Sequence, residues 1–371
     1  MKRRWRLLVV GLGDAGLLTA IHLARDFETV AISSKPGLVS GQELGLRLSR
    51  PDVWALDYRI DYRRFRGLDR VRIVHGSVVG LDADGHRVSG VTAEGGRFVE
   101  PFDILVIATG VTNGFWRTAT TESDDEITTG LNAAHARIAD AHTVAVIGGG
   151  AAGISSAVSI ATVWPDKRVD LYFPGDRPLA YHHRRTWDRI RRRIDDLGIG
   201  VHPGHRAIIP DGFAGEAITD GPIEWSTGQP AAAADAVLWA IGAVSPNTSW
   251  VPPDMRDEHG FVQVNAHLQV SGYPEVFAIG DVAATDALRS SARNRADRLL
   301  AHNIRAFQAG RRMRSYRPPS RRWGSVLGVQ PDGLEVFTPT GRVFCFPSWS
   351  INTVLQQWIV RRGIYHGIRD A

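Results

Sequence analysis

Residues 7–16 read LLVVGLGDAG, an apolar run that leads through a glycine-rich turn into the helix-like pattern of residues 17–25. Such a short apolar run is typical of a parallel β-strand that is covered on both faces. The glycines have the spacing G-x-G-x-x-G. Gly11 permits a tight turn, Gly13 lets the backbone approach a pyrophosphate, and Gly16 lets the helix pack close to the strand. Because the helix N-terminus also attracts phosphates, this stretch predicts a dinucleotide-binding unit.

The same pattern occurs a second time. Residues 143–153 read TVAVIGGGAAG, with Gly148, Gly150 and Gly153 at the spacing of the first turn. Helix-like residues 154–162 follow, and then a strand-like run. One such unit can arise by chance, whereas two complete units on one chain predict two dinucleotide sites.

The segments between and after these units read as strands. Residues 71–79, 86–92 and 97–100 alternate between apolar and polar side chains, as antiparallel strands do. Three further apolar strands end in small-residue turns, which glycine allows to approach a ligand closely. They span residues 102–110, 236–242 and 276–281.

Composition narrows the class of protein. A chain of 371 residues is too long for one core and suits two or three domains. Its single cysteine, Cys345, excludes an intrachain disulfide and a C-x-x-C redox pair. The net charge of +5 favours an anionic partner such as an acidic protein, anionic lipid, nucleic acid or a phosphorylated cofactor, although it also suits a merely soluble surface. We expect a cytoplasmic protein, because no apolar stretch approaches the ~20 residues of a membrane-spanning helix.

The ordered motifs over residues 5–312 resemble those of the two-dinucleotide flavoprotein reductases, the pyridine nucleotide-disulfide oxidoreductase superfamily. The resemblance implies an α/β fold with two Rossmann-like, three-layer domains. An FAD-binding domain would comprise residues 1–118 and 244–312, and an NAD(P)H-binding domain residues 119–243. Residues 313–371 would form a small region of β-hairpins and an amphipathic helix.

Site residues follow from the resemblance, position by position. In that family the acid after the last of these glycine turns holds the ribityl chain of FAD, a role that falls here to Asp281. The implied FAD neighbours are Gly11, Gly13, Asp14, Ala15, Gly16, Ser33, Lys35, Val78, Ala108, Thr109, Gly110, Gly280 and Asp281. The implied NAD(P)H neighbours are Gly148, Gly150, Ala151, Ala152, Gly153, Ser155, Phe173, Arg177, Ile241 and Gly242.

Two motifs that the chain lacks indicate its branch of the superfamily. The lack of C-x-x-C excludes the dithiol branch, and residues 33–43 do not match the corresponding segment of the ferredoxin reductases. The chain is then similar to the type II NADH dehydrogenases and the apoptosis-inducing-factor-like NAD(P)H:quinone reductases. This predicts hydride transfer from NAD(P)H through FAD to a quinone-like acceptor, with Gln42 and Glu43 as flavin-ring neighbours. No metal site is predicted, because the histidines lack ligand spacing.

The C-terminal region supports that branch. Residues 323–346 alternate around two hairpin turn signals. An apolar helical stripe follows, and arginines lie close behind it. The stripe consists of Ile351, Val354, Leu355, Trp358 and Ile359. It predicts either peripheral membrane contact through residues 351–369 or packing on the protein's own sheet or on a second subunit of a homodimer.

Three positions depart from the family pattern. Ser33 stands where the family carries an acid for the adenosine ribose of FAD, so a charge-assisted hydrogen bond is lost. Phe173 likewise replaces an acid, and the nearby Arg177 suits a 2'-phosphate, which favours NADPH over NADH. Ser155 stands where many relatives have glutamate near the nicotinamide. In place of the quinone-binding glutamines the chain has the basic stretch 289–295, which suits an anionic acceptor or a reduced flavin.

Several alternatives stay open at this stage. The enzyme could instead reduce a soluble acidic electron carrier docked on its arginines, or act on one particular metabolite. A protein of another class, which senses nucleotides without turnover or binds nucleic acid, is the remaining alternative. The lost acids at Ser33 and Ser155 keep that alternative open.

Overall fold

The computed structural model describes residues 3–213, 215–242, 244–285, 296–318 and 320–370. The first ten strands are β1 Arg6–Val10, β2 Glu28–Ser33, β3 Gly37–Val39, β4 Arg59–Asp61, β5 Val71–Asp82, β6 Arg87–Thr92, β7 Arg97–Pro101, β8 Ile104–Ile107, β9 Val111–Thr112 and β10 Thr143–Ile147. The next ten are β11 Arg168–Tyr172, β12 Gly200–His202, β13 Thr219–Ile223, β14 Ala232–Trp239, β15 Ser245–Pro246, β16 Gln269–Val270, β17 Tyr273–Ala278, β18 Val329–Gln330, β19 Gly333–Phe337 and β20 Val343–Pro347. The α-helices are α1 Asp14–Leu23, α2 Leu44–Ser49, α3 Pro51–Tyr58, α4 Asp124–Ala139, α5 Ala151–Val163, α6 Arg184–Asp196 and α7 Ala296–Gln308.

The first sheet has eight strands in the order β16-β17-β8-β1-β2-β5-β6-β7. Its central strand β1 runs parallel to both β2 and β8. Leu7, Leu8, Val9 and Val10 are each at most 2% exposed, because separate apolar cores cover the two faces of the sheet. This confirms the prediction of a doubly covered parallel strand. The antiparallel strands β5, β6 and β7 extend the sheet, as the alternating pattern predicted.

The second sheet has the order β12-β11-β10-β14-β13. Strands β11, β10 and β14 are parallel, and β13 joins the edge in the antiparallel sense. Helices α5 and α6 cover one face. Ile190 and Ile194 of α6 are buried there while its arginines face outward, as expected of an amphipathic helix. The α/β fold with two Rossmann-like sheets is therefore confirmed.

The chain returns to the first sheet after completing the second. Strand β17 pairs in parallel with β8, and α7 packs on α1. This topology accommodates a discontinuous first domain, although the boundaries 1–118, 119–243, 244–312 and 313–371 remain predictions.

The C-terminal region contains the predicted hairpins, because β18, β19 and β20 pair as one antiparallel sheet. A helical turn at Ser348–Ser350 then leads into a π-helix, Ile351–Ile364. Since i→i+5 bonds widen a helix, residues spaced i, i+3 and i+4 no longer share one face. The expected stripe is accordingly split. Ile351 is buried, while Val354, Trp358 and Ile359 are exposed, so the alternative that the whole stripe packs on the protein's own sheet is wrong.

After the π-helix the chain turns back to the first sheet's core. The ring of Tyr365 packs against Phe65, and Ile368 forms an antiparallel bridge with Phe65. Arg369 forms an ion pair with Asp69 at 2.7 Å. Residues 365–369 therefore pack on the first unit. Within the described ranges, no helix combines the length and apolar character needed to cross a bilayer.

Candidate functional site

The first glycine-rich turn has two positions, Gly11 and Gly16, at which a side chain would clash with the backbone. Gly11 has φ +97°, and a Cβ there would lie 2.4 Å from the carbonyl oxygen of Ala108. A Cβ on Gly16 would lie 1.9 Å from the carbonyl oxygen of Gly11, which explains how α1 packs so near the turn. A Cβ added to Gly13, by contrast, would have no heavy atom of the described residues within 4 Å, apart from those of Gly13 and its two chain neighbours. The turn therefore leaves open space at the N-terminus of α1.

A cavity of about 570 Å³ opens over this turn. Helix α4 and residues 115–118 form its opposite wall. The predicted FAD neighbours that line it are Gly11, Gly13, Asp14, Ser33, Lys35, Ala108, Thr109 and Gly110. Those that do not line it are Ala15, Gly16, Val78, Gly280 and Asp281. Ala15 and Gly16 lie inside α1, and the Val78 side chain packs on the core of the first sheet.

Ser33 lies at the end of β2 but is already engaged. Tyr62 donates its hydroxyl hydrogen to the carbonyl oxygen of Leu12 at 2.9 Å, so Ser33 donates to Tyr62 at 3.0 Å. The Ser33 oxygen in turn accepts from the backbone N–H of Lys35 at 3.2 Å. Because a serine hydroxyl carries one hydrogen and two lone pairs, Ser33 has no hydrogen and one uncharged lone pair left for a ribose.

Lys35 and Glu122 form an ion pair in the cavity wall near Ser33. The ammonium of Lys35 also donates to the carbonyl oxygen of Thr120 at 2.7 Å. Desolvation lowers the pKa of Lys35, and the hydrogen bond to Glu122 partly opposes that shift. Two segments far apart in sequence, the end of β2 and the connection before α4, are thereby joined at the cavity.

Two arginines that sequence reasoning missed also line the cavity. Arg117 donates to Asp281, the predicted ribityl-binding acid, at 2.8 Å. Asp281 is thus linked to the cavity by an ion pair with a lining residue. Arg47 donates to the carbonyl oxygen of Trp116 at 2.9 Å, and its guanidinium lies 4.8 Å from the centre of the Trp54 ring. Burial lowers the pKa of Arg47 to about 10. Neither arginine belongs to a recognisable motif, so no sequence signal marked them.

Asp14 is a hydrogen-bonding centre at the start of α1. Its carboxylate accepts from Ser40 at 3.0 Å, from Gln42 at 3.4 Å and from the Tyr365 hydroxyl at 3.3 Å. Gln42 therefore lies next to the first turn, although it does not line the cavity. Glu43 has φ +56°, and its side chain lies against Gly328. Of the two predicted ring neighbours, Gln42 is thus connected to the turn through Asp14.

The second glycine turn repeats the geometry of the first. Gly148 has φ +134°, and a Cβ there would lie 2.1 Å from the carbonyl oxygen of Ala240. A Cβ on Gly153 would lie 2.1 Å from the carbonyl oxygen of Gly148, and the space over Gly150 is open among the described residues. Ala151 and Ala152 begin α5. Ile241 and Gly242 follow β14, on the side where Ala240 meets the turn.

Burial limits what three of the predicted NAD(P)H neighbours can contact. Phe173 is 2% exposed and belongs to the apolar core, so its side chain cannot reach a ribose. Ser155 is 5% exposed, and its hydroxyl donates to Ala152 of its own helix at 3.1 Å. Arg177 has a buried Nη1 with no hydrogen-bond partner in the described part of the chain. An ordered water or a bound anion would satisfy such a nitrogen.

The basic stretch 289–295 lies outside the described residues. Among the residues that are described, no three histidine, cysteine or acidic side chains are grouped as metal ligands would be.

Comparison with known proteins relates the chain to one family. A model of the pyridine nucleotide-disulphide oxidoreductase family matches residues 5–310. The chain is 27% identical over 224 residues to Oxidoreductase ptaL of Pestalotiopsis fici, an alignment that covers 60% of this chain and 58% of that protein. It is 27% identical over 311 residues to NADH dehydrogenase-like protein Rv1812c of Mycobacterium tuberculosis, covering 75% of this chain and 73% of that one.

Solved structures share the fold. The ferredoxin reductase for the CYP199A2 system from Rhodopseudomonas palustris superposes with a TM-score of 0.64 at 19% identity, covering 92% of this chain and 88% of that one. Likeness at this identity shows a common fold and leaves the acceptor to be argued from the residues.

Proposed function

Since the chain belongs to the pyridine nucleotide-disulphide oxidoreductase family, we propose that it is an FAD-dependent enzyme that oxidises NAD(P)H and reduces a quinone-like acceptor. One observation carries the proposal: both glycine turns have the same geometry, with open space over Gly13 and over Gly150. Open space at a helix N-terminus is what a dinucleotide pyrophosphate requires.

The first turn is our proposed FAD site. Its cavity of about 570 Å³ brings together the N-terminus of α1, the small-residue turn Ala108–Gly110 and the cations of Arg47 and Arg117. These groups suit the negative charge of a pyrophosphate. Asp281 forms an ion pair with Arg117, which lines the cavity, and in this proposal its carboxylate would accept from the ribityl chain. When bound, FAD supplies the two-electron chemistry, and the protein's part is position and electrostatics.

The second turn is our proposed NAD(P)H site, in a domain of residues 119–243. NADPH is the favoured donor, because Phe173 leaves no acid to repel a 2'-phosphate and Arg177 keeps a buried, unpartnered nitrogen in the described structure. A charge-assisted bond from guanidinium to phosphate would use that nitrogen.

Arg177→Ala is expected to lower kcat/KM for NADPH by roughly 10-fold or more and to change that for NADH by much less, because only NADPH has the 2'-phosphate. Steady-state rates with both donors measure this. Arg184→Ala is the matched control, since the Arg184 side chain is 82% exposed and should not discriminate between donors. Equal losses with both donors would show that Arg177 does not contact the 2'-phosphate.

The C-terminal surface, which we define as residues 343–364, is the basis for the proposed electron acceptor. Trp349 is 74% exposed, Trp358 63% and Phe344 62%. The sequence has no acidic residue between Glu335 and Asp370. Exposed aromatic side chains beside arginines suit an anionic bilayer, where a quinone would dissolve. A soluble acidic carrier is the second candidate, favoured by the net charge of +5.

A visible spectrum of the purified protein tests the proposal. We expect a yellow flavin chromophore, which anaerobic NADPH bleaches faster than NADH. A protein that stays colourless after incubation with FAD would contradict the proposal and would favour a role without turnover. If flavin reduction occurs, the acceptor is identified by reoxidation. A short-chain quinone should reoxidise the flavin regardless of salt, whereas an acidic carrier should lose rate steeply as salt is added.

A further inference from the structure

The side chain at the end of β2 offers a ribose no charged acceptor. Ser33 stands there in place of an acid, is only 4% exposed, and spends its hydroxyl hydrogen on Tyr62. A charge-assisted hydrogen bond to the adenosine ribose of a dinucleotide in the first cavity would need an acidic acceptor from another segment of the chain.

The structure brings such an acceptor from a different segment. The backbone N–H of Glu122 donates to the carbonyl oxygen of Ser34 at 3.0 Å, which joins the connection before α4 to the end of β2. The ring of His75 on β5 contacts the Glu122 carbonyl oxygen at 3.2 Å. The next residue, Ser123, begins α4 with a capping box to Glu126. The backbone of Glu122 is therefore held on both sides.

Glu122 lines the cavity together with Ser33 and Lys35. Its Oε2 accepts from Lys35 and, at 3.3 Å, from Thr118. No donor from the described part of the chain reaches its Oε1. Because the side chain is 31% exposed and the residue lines the cavity, this oxygen is available to a ligand hydroxyl.

We propose that Glu122 binds the adenosine ribose of FAD, replacing from the connection before α4 the acid that β2 lacks. The inference rests on the proposed function, because it presumes FAD in the first cavity. Lys35 holds one carboxylate oxygen in place, and the other accepts from a ribose hydroxyl. The charge-assisted bond that Ser33 cannot make is thereby restored.

The test compares FAD with an analogue whose adenosine ribose lacks both hydroxyls. The full-length protein should bind FAD about 10- to 100-fold more tightly than the analogue, the range expected for hydrogen bonds to a charged group. Glu122→Gln keeps the shape of the side chain and an acceptor for Lys35 but removes the charge. In this variant the preference should fall to within about threefold. Flavin fluorescence titration measures both ligands.

Each variant's affinity for FAD is compared with its own affinity for the analogue. A general loss of stability would weaken the binding of both ligands and would not change the preference. Asp125→Asn is the matched control, since Asp125 is an exposed acid three residues away and should leave the preference unchanged. A Glu122→Gln variant that keeps the full preference overturns the inference while leaving the proposed function intact. A wild-type protein that binds neither FAD nor the analogue overturns both.

Discussion

Gly13→Val is expected to reduce FAD affinity by more than about 100-fold while leaving the fold intact, because the valine would occupy the space that the pyrophosphate needs. Gly13 has φ −69° and ψ −174°, a conformation that any residue adopts, and no described atom lies within 4 Å of its added Cβ. Flavin titration and the thermal unfolding midpoint measure the two parts of this expectation.

Gly150→Val is the matched variant at the second turn. It has φ −80° and equally open surroundings. This variant should keep its flavin and lose reduction by NAD(P)H. The pair therefore assigns one nucleotide to each turn. Loss of flavin from Gly150→Val, with Gly13→Val unaffected, would reverse the assignment.

Gly11→Ala is a contrast within the same turn. Its φ of +97° and the 2.4 Å approach to the carbonyl oxygen of Ala108 leave no room for a Cβ. Strain of this kind costs on the order of 1–3 kcal/mol for the backbone, with a further cost for the clash. A lower unfolding midpoint is expected in Gly11→Ala and not in Gly13→Val. Equal midpoints in the two variants would contradict this description of the turn.

The double variant Trp349→Ser, Trp358→Ser is expected to weaken binding to anionic vesicles by more than about 10-fold. Each tryptophan carries a large apolar area that a bilayer interface would cover, so losing both removes much of the driving force. Co-sedimentation with vesicles of phosphatidylglycerol and phosphatidylcholine measures the partition. Tyr181→Ser is the control, because Tyr181 is 62% exposed but lies outside the C-terminal surface.

Two outcomes would contradict the membrane assignment. One is a wild-type protein that stays in the supernatant at low salt, and the other is a double variant that sediments equally well. If the wild-type protein instead forms a dimer that the double variant loses, the C-terminal surface binds a second copy of the chain. Sedimentation velocity at several protein concentrations distinguishes that result.

Local patterns were sufficient for the parts of the fold that depend on neighbouring residues. Strands β1 and β10 follow from apolar runs, and the turns after them follow from glycine spacing, because backbone conformation there is decided within a few residues. The helices begin earlier than the apolar pattern indicated, at Asp14 and Ala151, since a helix starts directly after its N-cap glycine. The π-helix was missed, because the apolar period of residues 351–359 suited an ordinary α-helix.

The amino-acid sequence alone determined that this chain has two glycine-rich turns, each following a strand of a parallel β-sheet core, and no redox cysteine pair. Only the tertiary structure decided which side chains surround the first glycine-rich turn. Arg117 meets Asp281 across 164 residues, and Tyr365 meets Asp14 across 351. Glu122 likewise reaches Ser34 only because the connection before α4 passes the end of β2. The spacing of glycines determines the local backbone conformation and can therefore be recognised in the sequence. The partner of a charged side chain depends instead on which distant segments the fold brings together.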